Sequence, residues 1–137
     1  MKIYPISIAI FCDKEKILIQ DRKGFDTIRF GEKYGFFGGK IKEEETPEQA
    51  LRREIKEELN IDIEQFSFFK KYVQEFKEFN AIVERNVFVA PMPDLNKIRV
   101  DEGKPFITTF KEISHLKMMP GDIDILKEIH QCYLDKI

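Results

Sequence analysis

Residues 38–61 read GGKIKEEETPEQALRREIKEELNI: a glycine pair, an acidic loop, then a helix-forming run in which glutamates recur. Thr46 suits an N-cap, Pro47 the first helical position, and Gln49 stands where it closes a capping box. The spacing therefore predicts a helix from Pro47 to about Leu59. At about 100° per residue, Leu51, Ile55 and Leu59 fall on one apolar stripe, and Glu54, Glu57 and Glu58 lie along its flank. Residues three and four apart are helical neighbours, so Glu54 faces both Glu57 and Glu58, and each like-charge pair costs about 0.2–0.5 kcal/mol unless it is neutralised. A divalent cation would neutralise them. Acidic helix faces are more often merely solvated, with lysines interleaved as Lys56 is here. The cluster alone does not decide between these readings; its surroundings do.

Five residues separate Gly39 from Glu45, and seven more lead to Arg53-Glu54, followed by Ile55, Glu57-Glu58 and Ile61. This spacing resembles the Nudix box: glycine, five, glutamate, seven, arginine-glutamate-apolar, one, glutamate-glutamate, one, glycine-apolar. Eight of its nine fixed positions match, the exception being Asn60 in place of the second glycine. By chance the pattern would arise in roughly one sequence in ten thousand of such composition. A helix ending at Leu59 calls for a left-handed residue next, and asparagine tolerates that conformation second only to glycine. A second departure is Phe37, where many relatives carry proline.

The rest of the chain bounds the answer. With 137 residues, 42% of them hydrophobic and 35% charged, it fits one soluble domain spanning residues 1–137. No apolar run approaches the roughly 20 residues of a membrane helix, and the N-terminus lacks the layout of a signal peptide, so the cytoplasm is the expected compartment. Cys12 and Cys132 are isolated, without CxxC spacing, and read as reduced thiols. A net charge of −2 with no basic tail leaves no footprint for duplex nucleic acid, although a small nucleotide needs only a few local cations.

Residues 6–11 and 16–20 are β-branched runs about a polar turn and predict a hairpin. Residues 34–40 read as a short strand entering the glycine turn; 66–79, 81–89 and 106–110 read as further strands. Gly121 precedes an amphipathic terminal helix with Ile125, Leu126 and Ile129 towards the core. The mixture predicts an α/β protein, a sheet with helices packed on it. The resemblance sharpens this to a Nudix-type α/β/α sandwich with a mixed β-sheet and the box as loop-helix-loop.

The resemblance implies a Mg²⁺-dependent pyrophosphohydrolase, with Mn²⁺ as an alternative ion, in which metal-activated water attacks a phosphorus of a nucleoside triphosphate or related nucleotide. Mg²⁺ favours octahedral oxygen ligands from a few carboxylates and substrate phosphates. By resemblance Glu57 and Glu58 are the principal metal ligands, and Glu54 is either a further ligand or the base. The Gly38 carbonyl would be another ligand, and Glu102 the acidic group from outside the box, with Glu84 second. Arg53 would pair with a box glutamate, Glu57 being one option, and Glu45 would steady the loop. Arg22, Lys23, Arg29 and Lys33 before the box, with Gly39 and Lys40 in it, are the candidates for holding phosphates, and Phe25, Phe30 or Tyr34 for stacking on a base. His115 and His130 read as structural. The partner is a small-molecule nucleotide, and a homodimer is compatible with the family. The alternative function is a non-catalytic nucleotide sensor on the same fold, whose mark would be the loss of a box glutamate; none is lost.

Overall fold

The N-terminal runs are apolar at nearly every position because both of their faces are covered. In the computed structural model, which describes residues 1–23, 31–101 and 103–133, β1 (Lys2–Asp13) and β2 (Lys16–Asp21) form the predicted hairpin. They pair antiparallel only near their shared turn, from Phe11↔Leu18 to Asp13↔Lys16. Beyond that they diverge, and β3 (Tyr34–Gly35) and β4 (Phe37–Lys40) fill the gap. β4 pairs with β1 between Ile6 and Ala9, and β3 pairs with β2 at Gln20 and Asp21. The stretch read as one strand is thus two, interrupted at Phe36. Gly38 lies in the sheet directly beside Ile8.

On the other edge of β1 runs β6 (Ala81–Pro91), parallel to it along its whole length, and β5 (Ser67–Phe76) pairs antiparallel with β6. β7 (Lys104–Thr109) lies along β2. Among the described residues seven strands form one mixed sheet. The predicted strand over 66–79 ends earlier than its composition suggests, because Lys77–Phe79 is a single 3-10 turn closed by left-handed Asn80.

Side-chain alternation sorts the core into two layers. Ile8, Ile10, Ile17, Ile19, Val87 and Val89 point to one face, under α2 (Asp122–Tyr133) with its buried Ile125, Leu126 and Ile129. Ala9, Phe11, Leu18, Phe37, Phe88 and Ala90 point to the other, under α1 (Pro47–Leu59) with Leu51, Ile55 and Leu59. The architecture is the expected α/β/α sandwich. No helix among the described residues is long and apolar enough to cross a membrane.

Both ends of α1 follow the sequence chemistry. The Thr46 hydroxyl accepts from the Gln49 N–H at 3.1 Å, and the Gln49 side chain accepts from the Thr46 N–H at 2.9 Å. Asn60 closes the helix in the left-handed region at φ 59°, its N–H donating to the Lys56 carbonyl. Thr46→Ala is expected to cost about 1 kcal/mol of stability. Urea unfolding checks this, and an unchanged midpoint would mean that the cap is redundant.

Candidate active site

α1 lies across β4 and hangs its glutamates over Gly38 and Gly39, which stand within that strand, paired with Ile8 and Ser7, and not in the turn their glycine pairing suggested. The Gly38 N–H donates to both carboxylate oxygens of Glu58, at 3.2 and 3.3 Å. Gly39 leaves space that the Glu54 carboxylate occupies, since a Cβ built there would lie 2.5 Å from Glu54 Cδ. The glycines are therefore required for proximity, and Gly38 also for its positive φ of 140°.

Arg53 organises this corner. Its Nε and Nη2 donate to the two oxygens of Glu45 at 2.6 and 2.8 Å, a two-pronged contact that only a guanidinium makes. Nη2 also donates to the Lys40 carbonyl and Nη1 to Glu54 at 2.8 Å, while Glu57 lies farther away at 3.6 Å. The (i, i+4) contact with Glu57 is thus the weakest of the set, and Glu45 is the main partner. Arg53, aided by the Lys42 N–H, holds the Glu45 carboxyl well below its usual range, at about 2. Glu45 in turn raises the guanidinium above its own ordinary value.

Glu54, Glu57 and Glu58 face a cavity of about 390 Å³ together with Asp101. Burial pushes Glu58 up to about 8, opposed by the Gly38 N–H and Arg22 and reinforced by the charges of Glu54 and Glu57. Crowded, partly desolvated carboxylates of this kind are a donor set that suits a hard divalent cation. Among the described residues no group of three acidic, histidine or cysteine side chains is gathered into a complete ligand set. A cation here would need further oxygens, from substrate phosphate and water.

Beside this cavity lies a second of about 200 Å³, in which Ile6, Ile8, Tyr34 and Met119 supply apolar wall and Arg85 and Asp122 polar groups. Arg22, Phe36 and Gly38 line both cavities, so the two adjoin. Arg85 and Asp122 are almost fully buried and face each other at 3.5 Å. Arg85 also donates to Gln74 and to the Pro120 carbonyl. Burial raises Asp122 to about 7 against the pull of Arg85, and lowers Arg85.

Of the residues expected to hold phosphate, Arg22 and Gly39 reach the cavities. The backbone N–H of exposed Lys23 donates to Asp21, and neither Lys23 nor Lys40 lines either of these two cavities; the Lys40 ammonium sits 5.7 Å from the Tyr4 ring centre. Lys33 lies over Tyr34, whose ring packs on Phe106 at 4.7 Å. Arg29, Glu102, Phe25 and Phe30 fall outside the described residues. Among the described residues, Asp101, the neighbour of the expected Glu102, lines the glutamate cavity. Glu84 pairs instead with Lys71 at 3.5 Å. Sequence reading also passed over Arg85 and Asp122. An arginine midway along a strand that is apolar on both sides of Glu84-Arg85-Asn86 was the available signal.

A mixed sheet between two helices, with an acidic helix face over a glycine pair in a strand, is the arrangement of a Nudix domain. Residues 2–128 match the family model described as NUDIX domain, and the chain belongs to the Nudix family. Among relatives, it is 37% identical over 78 residues, 57% of this chain, to the 8-oxo-dGTP diphosphatase of Escherichia coli. It is 33% identical over 73 residues, 53% of this chain, to the protein of that name from Proteus vulgaris. The matched stretches span 60% and 64% of those two proteins, less than two thirds of either. The solution structure of the E. coli ORF135 protein has the same fold, with a TM-score of 0.74 at 23% identity, covering 96% of this chain and 93% of that one.

Proposed function

We propose that the chain is a divalent-metal-dependent pyrophosphohydrolase that cleaves a nucleoside triphosphate with water, releasing pyrophosphate and a nucleoside monophosphate. The observation that carries this reading is the convergence of Glu54, Glu57, Glu58 and Asp101 on one cavity that adjoins a second, more apolar one. A molecule with a polyphosphate at one end and a flat apolar group at the other fits that pair. The two relatives named above make 8-oxo-dGTP the first nucleotide to try.

Glu57 and Glu58 would hold the cation, Mg²⁺ or Mn²⁺. When bound, it supplies charge neutralisation at the phosphate oxygens and a more acidic water. Glu54, oriented by Arg53, would take the water proton or bind metal, and Arg22, at the junction of the cavities, would meet phosphate. Tyr34, Phe36 and Met119 would enclose the base, whose polar edge would meet Asp122 and Arg85.

The test is product analysis on purified protein with nucleoside triphosphates including 8-oxo-dGTP, dinucleotides and nucleotide sugars, with Mg²⁺ and with chelator. Pyrophosphate and a monophosphate formed only with metal is the expected result. Nucleotide binding without turnover of any member would favour the sensor reading instead.

A further inference from the structure

The residue that departs from the box pattern makes a contact glycine could not. Besides closing α1, Asn60 donates from Nδ2 to the Arg99 carbonyl at 2.6 Å, while the Arg99 N–H donates to the Leu59 carbonyl at 2.9 Å. Both polar backbone groups of Arg99 are therefore held by the last turn of the box helix. On either side, Ile98 and Val100 pack against the core layer under α1. Two residues further along, Asp101 stands at the wall of the glutamate cavity. The segment that delivers this acid is thus fastened to the same helix that carries Glu54, Glu57 and Glu58.

We propose that Asn60 is a positioning residue for the active site: its side-chain amide fixes the 98–101 segment to the end of α1 and thereby sets where the Asp101 carboxylate stands. Glycine at this position would keep the left-handed turn and the Arg99–Leu59 bond, but would leave the Arg99 carbonyl without its donor. The turn and the tether are therefore separable by mutation. The inference rests on the hydrolase reading, in which Asp101 belongs to the reacting cavity.

The experiment is a double-mutant cycle of Asn60→Gly and Asp101→Asn, read by kcat, KM and backbone amide exchange. Loss of one hydrogen bond predicts exchange of the Arg99 amide, which is bonded to the Leu59 carbonyl, about fivefold faster in Asn60→Gly, and kcat about fivefold lower. Asn60→Asp, whose carboxylate cannot donate to Arg99, is expected to speed exchange as much without adding glycine's backbone freedom. In the Asp101→Asn background, Asn60→Gly should cost no further activity, whereas a merely structural role would cost the same factor in both backgrounds. Unchanged exchange, full activity of Asp101→Asn, or equal losses in the two backgrounds would overturn the proposal. If the wild type turns over no nucleotide, the hydrolase reading fails. The cycle is then read by Mn²⁺ affinity from water relaxation, with weaker binding in Asn60→Gly only while Asp101 is present as the expected result and equal affinities as the overturning one.

Discussion

Glu58→Gln is expected to lose turnover by a factor on the order of 10² to 10³ while becoming the more stable protein at alkaline pH. The two effects have one origin. Glu58 is largely desolvated and close to Glu54 and Glu57, and its pKa of about 8 measures the cost of its charge in the absence of a cation. Below the ordinary carboxyl value of 4.5 both folded and unfolded chains carry the proton. Between 4.5 and about 8 the folded chain keeps a proton that the unfolded chain has lost. The stability of the neutral form is fully present at the acid end of that window and is lost as pH rises through the folded value. Glutamine is neutral throughout and still accepts the Gly38 N–H, so the variant escapes the loss. Melting curves in chelator should coincide near pH 4 and separate near pH 9, with the variant higher. Glu57→Gln, at a more exposed position whose ion pair with Arg53 is long at 3.6 Å, should lose comparable activity with little change in melting. Full turnover in either variant would remove that residue from the metal site; a Glu58→Gln protein that melts lower at pH 9 would show that the buried charge is not a burden.

How much of this was legible in the sequence depended on whether the information is local. The α1 caps, its apolar stripe and its glutamate flank are set by residues within a few positions of one another, and the structure has them as the spacing predicts. The hairpin was equally plain, but its splitting was not. That Tyr34–Gly35 and Phe37–Lys40 wedge between β1 and β2 depends on pairing across about fifteen residues for the first and about thirty for the second, and a seven-residue run with glycines carries no mark of it. The same limit explains the Arg53 partner. Glu57 is the helical neighbour, but Glu45 is delivered by the loop and offers both oxygens to the fork. Asp101, one residue before the expected Glu102, lines the cavity, and alternation in a short irregular segment does not mark which of its side chains does so. The second cavity was invisible for a similar reason: Arg85 and Asp122 come from β6 and α2, elements that meet only in the fold.

The adjacent glycines should fail in different ways when given a methyl group. At Gly38 the backbone has φ +140°, a conformation that L side chains rarely adopt, and a Cβ would lie 2.1 Å from the Ser7 carbonyl oxygen and 2.7 Å from Ile8 Cα. Both obstacles are backbone of β1, the strand that pairs with β4 on one edge and β6 on the other, so neither can move without opening the sheet. Gly38→Ala is therefore expected to destabilise the fold by about 3 kcal/mol or more, from backbone strain and steric clash together. At Gly39 the obstacle is different: all three nearest atoms belong to the Glu54 carboxyl group, at 2.5 to 2.7 Å, and a side chain can swing away. Gly39→Ala should unfold near the wild-type denaturant midpoint yet lose most of its activity, because Glu54 must leave both the cavity and its 2.8 Å contact with Arg53. Denaturant unfolding and turnover measured on both variants separate the cases. A Gly38→Ala protein of ordinary stability would mean that β4 can shift along β1, and an active Gly39→Ala protein would mean that Glu54 neither binds the metal nor takes the proton from where it stands.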